Sequence, residues 1–230
     1  MANQTKKNSP LYNIAFNIFL PTIILMKMSS EDRLGPNYAL IVALAFPIGY
    51  GIYEFYKERK VNTMSIIGLV SVMLTGGFVL LKLPAQYVVI KETGVPLLIG
   101  TIVLISNFTK KPLVKTMLLN DSLFEMDKLH NALDSKGNRE IFYKKVNQVS
   151  YLLVLTFVFS AFLNYELAKY FLVSEPGTVQ YNEEIGQMNG WSFPVIALPS
   201  MVMMGGILWM LFSTIKKLTG LGIEELMVQK

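Results

Sequence analysis

Cysteine is absent from this chain of 230 residues, and histidine occurs once, as His130. Disulfides, thiolate metal sites and thiol catalysis are thereby excluded. Charge is also scarce: 16% of the residues are Asp, Glu, Lys or Arg, against a hydrophobic share of 52%. An ordinary soluble domain carries about 25% charged residues, so too little polar chain is left for a separate soluble domain. Residues 1–230 therefore read as a single integral membrane domain.

What the chain has instead is a series of long apolar runs, placed at 11–28, 38–55, 64–81, 91–107, 146–171 and 193–212. Most approach the roughly 20 residues that carry a helix across a bilayer. An unpaired backbone amide in hydrocarbon costs several kcal/mol, so runs of this kind must be helical. The expected fold class is all-α: a polytopic membrane helix bundle with about six transmembrane helices, a cytoplasmic loop over 108–145 and an outer loop over 173–192.

Orientation follows from Lys and Arg in the short connections. With the N-terminus inside, 16 fall on the inner side and 5, namely Lys27, Arg33, Lys82, Lys91 and Lys169, on the outer. That asymmetry places both termini in the cytoplasm. A cleaved signal peptide is the competing reading of the first run, with Lys6 and Lys7 before it. The segment after it, Lys27-Met28-Ser29-Ser30-Glu31-Asp32, lacks a small-x-small cleavage site, so a retained span is expected.

Between the fourth and fifth runs the chain is too polar to cross. Leu123, Met126, Leu129 and Leu133 recur at helical intervals, and Ser122 with Glu125 has capping-box spacing. The segment is expected to be an amphipathic helix lying on the inner membrane face. A turn at Asp134-Ser135-Lys136-Gly137-Asn138 should follow, and then one helix from about Arg139 through the fifth span. The 174–190 loop carries Glu175, Glu183 and Glu184 and reads as solvated, with Trp191 at the interface.

Proline and glycine interrupt several spans: Pro21, Pro47 with Gly49 and Gly51, Gly94 with Pro96, and Pro194 with Pro199. Such breaks can open half-helix ends to a solute, or serve only as kinks and packing points. Gly68, Ser71, Thr75, Gly76 and Gly77 are small residues that let another helix come close.

An ionised group near the bilayer centre costs roughly 2.5 to 3.5 kcal/mol, so it is kept only with a partner, a cavity or a task. Glu92 is the leading candidate, with Lys91 before it and Thr93 after it. Being adjacent, Lys91 and Glu92 are expected to point to different faces and not to pair. They could equally mark the outer end of the fourth span. Asn13 and Asn17 share one face of the first span, and Tyr50 and Tyr53 flank Gly51 in the second. No metal-ligand spacing, nucleophile elbow or phosphate-cradling glycine loop is present, so no enzyme, metal or cofactor is expected. The basic residues are interspersed with acids and serve topology, so nucleic acid is not an expected partner.

Thr75-Gly76-Gly77, Ile90-Lys91-Glu92-Thr93, the apolar stretch from Pro96 to Ile105, and Lys110-Lys111-Pro112-Leu113-Val114 together resemble the bacterial septation protein A family of inner-membrane proteins. The similarity runs from about Ala39 to Leu119. Asn13 to Lys27 and Leu34 to Val72 further resemble a group of uncharacterised, transporter-like bacterial membrane proteins. What the resemblance implies is residence in the bacterial inner membrane and a part in septation or envelope upkeep, with no catalytic residues to carry over. The chain departs from the pattern at Ile90, where the family tends to have Trp, at Glu92, and in its longer second half.

Two readings remain open. In one, the bundle is a small transporter or channel whose polar site takes in Asn13, Asn17, Tyr50, Tyr53, Lys91, Glu92 and Thr93. In the other it is a non-transporting envelope scaffold. Membrane lipids, a second copy forming a homodimer, and envelope proteins are the partners these readings imply; lipid handling in a lateral groove is a minor third.

Overall fold

A computed structural model describes residues 15–58, 63–119, 121 and 123–228. The described secondary structure is helical, apart from one antiparallel bridge between Phe124 and Met227. A π-helical turn, Ala15–Phe19, leads into α1 (Leu20–Met28); then come α2 (Gly35–Glu58), α3 (Thr63–Leu80), α4 (Gln86–Ser106), α5 (Leu113–Leu118), α6 (Met126–Ser135), α7 (Arg139–Phe171) and α8 (Val179–Ser192). A second π-helical turn, Phe193–Ala197, joins α8 to α9 (Leu198–Thr219), and α10 (Ile223–Leu226) closes the chain.

Among the described residues, four stretches are long and apolar enough to cross a membrane: Gly35–Tyr53, Gln86–Ser106, Arg139–Phe171 and Val179–Thr219. A shorter apolar helix runs over Phe16–Met28. Thr63–Leu80 coincides with the run expected at 64–81. α7 starts at Arg139 and runs unbroken to Phe171, as the sequence predicts. Large apolar side chains such as Leu98, Phe162, Val202 and Trp209 stand exposed along these helices, as they must where the solvent is hydrocarbon.

The proline-bearing spans are not cut into half-helices. α2 continues through Pro47 and α4 through Pro96. A proline removes one hydrogen bond and bends a helix, but the turns on either side keep theirs. Around Pro194 the chain widens to a π turn instead of breaking, and Pro21 and Pro199 sit in the first turns of α1 and α9, where a missing N–H costs least.

The contacts divide the chain into two units. The first comprises residues 1–92 and 163–195. Here α1 packs on α2 and on α8, burying Leu25, Ala39, Leu40, Ala43, Ile185 and Met188. Gly186 makes the α1–α8 approach close: a Cβ there would come 2.8 Å from Met26 Cγ and 3.1 Å from the Thr22 carbonyl oxygen. Gly76 likewise receives the Leu44 side chain of α2, the close approach that its small neighbours in the sequence suggest.

The 173–192 segment is not the solvated loop its acidic residues suggest. Most of it is α8, with Tyr181 and Asn182 fully buried. Thr178 caps the helix, accepting from the Tyr181 amide at 3.2 Å. Polar composition hid a helix whose buried face meets protein instead of lipid.

The second unit comprises residues 93–162 and 196–230. Its core joins Phe142, Val146 and Val149 of α7, Ile207, Leu211 and Ile215 of α9, Leu129 and Leu133 of α6, and Leu226 of α10. The amphipathic helix is present, but its apolar face is not laid on the membrane: Leu129 and Leu133 are both 0% exposed, inside this core. Its start also differs. Ser122 lies outside the described residues, and Glu125 stands at the N-cap. The reason is the bridge: the Glu125 amide donates to the Leu226 carbonyl (2.8 Å) and the Val228 amide to the Leu123 carbonyl (3.2 Å), holding residues 123–125 extended. The turn after α6 has Gly137 at φ 64°, a left-handed conformation suited to glycine, and Asn138 Nδ2 donates to the Leu218 carbonyl at 2.9 Å.

Candidate functional site

Gln86, not Lys91, opens α4. Lys91 and Glu92 therefore sit about 8 Å along the helix, given a rise of about 1.5 Å per residue, and do not mark its end. Ser71 and Thr75 stand four residues apart on α3, which puts both hydroxyls on one helix face. The Lys91 ammonium lies against that face, donating to Ser71 Oγ at 3.1 Å and Thr75 Oγ1 at 2.7 Å. It also pairs with Glu92 Oε1 at 2.6 Å. The Lys91 side chain is 8% exposed and that of Glu92 24%.

The ion pair corrects the expectation that adjacent residues diverge. Their backbone positions do diverge around the helix, but both side chains are long and flexible, and the attraction between opposite charges grows as the effective dielectric falls. Curling together replaces two costly separate charges with one neutral pair. Thr75 Oγ1 in turn donates to the Ser71 carbonyl at 3.1 Å, which leaves its lone pairs facing the ammonium.

A lysine ammonium has three N–H donors and no acceptor. Three oxygens, on Ser71, Thr75 and Glu92, stand within hydrogen-bonding reach of this one. The arrangement ties α3 to α4 by a polar staple set among apolar side chains.

The other sequence-derived candidates lie elsewhere or apart. Thr93 follows Glu92 on α4, and its buried hydroxyl has no hydrogen-bond partner among the described residues. Tyr50 stacks on Phe16 with ring centres 5.9 Å apart, and Tyr53 lies 6.4 Å from Tyr50, so these tyrosines join an aromatic cluster that also includes Phe46. Asn17 falls in the first π-helical turn. Asn13 lies outside the described residues. Ser71 and Thr75, which complete the Lys91 site, read in the sequence as packing residues only; their four-residue spacing was the available signal.

A second polar knot holds the α1–α2 turn against α8. Asn182 Nδ2 donates to the Pro36 carbonyl at 2.7 Å and to Ser29 Oγ at 3.2 Å. Ser29 Oγ donates to the Leu25 carbonyl at 2.7 Å. Glu184 accepts from the Val173 and Ser174 amides, each at 3.0 Å, and from the Ser174 hydroxyl at 2.6 Å. The Glu184 carboxylate thus closes the end of α7 instead of standing in a solvated loop. Among the described residues, no three His, Asp or Glu side chains converge in a way that could hold a metal ion.

The Lys110-Lys111-Pro112-Leu113 motif is a turn. Ser106 Oγ accepts from the Leu113 amide at 3.1 Å, the Thr109 hydroxyl donates to the Ser106 carbonyl at 2.7 Å, and the Thr116 hydroxyl donates to the Pro112 carbonyl at 3.0 Å. Both lysines stay exposed. These bonds redirect the chain from α4 into α5.

The sequence pattern of the family described as intracellular septation protein A matches residues 19–175, which include the Lys91 staple and the 110–113 turn. The inner membrane-spanning protein YciB of Cronobacter sakazakii (strain ATCC BAA-894) is 34% identical over 102 residues, covering 44% of this chain and 56% of that protein. The chain thus matches little more than half the length of that relative. No solved structure matches. With its apolar helices and a family match over more than half its length, the chain belongs to the intracellular septation protein A family and is an integral protein of the inner membrane.

Proposed function

We propose that this protein is a non-transporting membrane scaffold that serves septation or upkeep of the cell envelope, rather than a transporter or channel. The observation that carries the reading is the saturation of Lys91. A solute site needs donors or acceptors that are open to the solute, and all three ammonium donors have protein oxygens within reach. Lys91 acts as a clamp between α3 and α4, and Glu92, the charge that most suggests a transport path in the sequence, is held in an ion pair with it. The family's description as a septation protein supports the cellular role. In this reading the chain crosses the inner membrane about six times with both termini in the cytoplasm, and a second copy or other envelope proteins are its partners.

The absence of cysteine gives a clean test. Single cysteines at Glu92, Thr93, Tyr50 and Asn17 are exposed, in intact and in inverted vesicles, to a membrane-impermeant thiol reagent. The scaffold reading expects these positions to resist from both sides while a cysteine at Glu175 labels from one. Labelling at Glu92 or Thr93 would reveal an aqueous path and return the transporter reading to first place.

A further inference from the structure

Residues 93–120 contain three lysines, Lys110, Lys111 and Lys115, and no Asp or Glu. All three lysines are exposed. Elsewhere in the second unit the protein answers its own cations: Arg139 pairs with Asp134 and Lys144 with Glu140, each at 2.8 Å. Among the described residues, no carboxylate pairs with Lys110, Lys111 or Lys115. The Lys115 ammonium instead lies 4.1 Å from the centre of the Tyr143 ring, an aromatic face that holds it without cancelling its charge. Apolar side chains stand among these lysines. Phe108 is 78% exposed and Met117 65%. α5 buries Val114 in the core of the second unit and leaves Leu113 and Met117, which share a face four residues apart, exposed.

Position and charge together name what covers this surface. α4 ends at Ser106, the last residue of a stretch long and apolar enough to cross a membrane, so Phe108 and the lysines after it emerge at the level of the phospholipid headgroups. The bonds of Ser106, Thr109 and Thr116 hold the turn in shape, which keeps cations and apolar side chains presented side by side. An anionic headgroup supplies the missing counter-charge, and the acyl boundary beneath it takes the aromatic ring; a free phosphate would leave Phe108 in water. Six residues fall well short of the roughly 20 to 30 a side of a stable protein interface. We propose that the elbow between α4 and α5 is a binding surface for anionic phospholipid, with Lys110, Lys111 and Lys115 on the phosphates and Phe108 inserted beside them.

The test places the full-length protein in nanodiscs of phosphatidylcholine, alone or mixed with phosphatidylglycerol, and follows the modification of each lysine by a water-soluble amine reagent with peptide mass spectrometry. A lysine at an anionic leaflet gains about fivefold in association. Modification of Lys110, Lys111 and Lys115 should therefore slow by about that factor when phosphatidylglycerol is present, and recover as salt is raised. Lys136, away from the elbow in sequence, and Lys144, which has its own carboxylate, should change little. Phe108→Ser alters an exposed position, so the fold should persist, and most of the slowing should be lost. Undiminished slowing in that variant would reduce the elbow to an ordinary basic loop and overturn the site. Equal rates in the two lipids would do the same, as would slowing reproduced by inorganic phosphate in phosphatidylcholine nanodiscs. Slowing confined to nanodiscs that hold two copies would assign the surface to a second copy, and slowing found in native inner-membrane vesicles but not with phosphatidylglycerol would assign it to another protein; either overturns the lipid site.

Discussion

Replacing Lys91 with alanine withdraws the cation from Glu92, whose side chain is only 24% exposed. Removing one partner of a buried pair costs about 3 to 5 kcal/mol, whereas replacing both with apolar groups of similar size is close to neutral. Lys91→Ala should therefore destabilise the protein by about 3 kcal/mol, near the lower bound because Glu92 keeps some exposure, and Lys91→Met combined with Glu92→Leu by under about 1 kcal/mol. Unfolding in mixed micelles, followed by circular dichroism, measures both; equal losses would mean that the pair has no coupling of its own. Asp32, in the exposed turn between α1 and α2, offers a pH test. Its carboxyl is held below the ordinary 3.8, first by the Ser30 hydroxyl, then by its own backbone amide and, more weakly, by Arg33, against a small opposing effect of burial. A depressed folded-state value means that the contribution is complete above the ordinary value and fades as pH falls through the folded one. Amide protection over residues 31–35 should drop in that acidic window, and Asp32→Asn should reproduce the drop at neutral pH. Unchanged protection in the variant would show the carboxylate to be idle.

Helix pairs are where glycines separate into two kinds. Gly186 lies against the Thr22 carbonyl and Met26, so Gly186→Ala must push α1 and α8 apart. Overpacking of this sort costs typically about 1 to 3 kcal/mol. Gly94, inside α4, is different: a Cβ added there would meet nothing within 4 Å, and alanine should stabilise by about 0.5 to 1 kcal/mol through backbone entropy. The two alanine variants, compared by thermal unfolding in detergent, are expected to move in opposite directions; destabilisation of both would show that Gly94 also serves a contact. The same scale explains α6. Its apolar spacing was visible in the sequence, but the surface it meets was not: a stripe of leucines suits a bilayer interface and a protein core equally well.

For the whole molecule the sharpest expectation concerns orientation. On the 16 to 5 division of Lys and Arg, Lys144 is expected inside and Glu175 outside. A cysteine replacing Lys144 should react with an impermeant reagent only in inverted vesicles, and one replacing Glu175 only in intact cells. Reaction of both from the same side would require a different number of crossings between them. In the scaffold reading, what faces the cytoplasm is the second unit's face around α5 and the 110–113 turn, with exposed Phe108, Leu113 and Met117 beside exposed Lys110, Lys111 and Lys115.

Hydrophobic runs by themselves determined that the chain is a helical membrane protein and where α2, α3, α7 and α9 would lie, because a backbone in hydrocarbon has one economical way to satisfy its amides. Turn chemistry made the turn at Gly137 and the start of α7 at Arg139 legible, since glycine takes the left-handed conformation found there at little cost. Composition failed over 173–192, where polar residues form α8: burial against α1 at Gly186, and against Ser29 and Pro36 through Asn182, is a long-range event that no local pattern records. It failed again at Lys91 and Glu92, since whether two adjacent charges diverge or pair depends on which oxygens a neighbouring helix presents. Only the tertiary structure brought Ser71 and Thr75 of α3 beside Lys91 of α4, because which faces of two helices meet is decided by side-chain packing between them, and not by hydropathy.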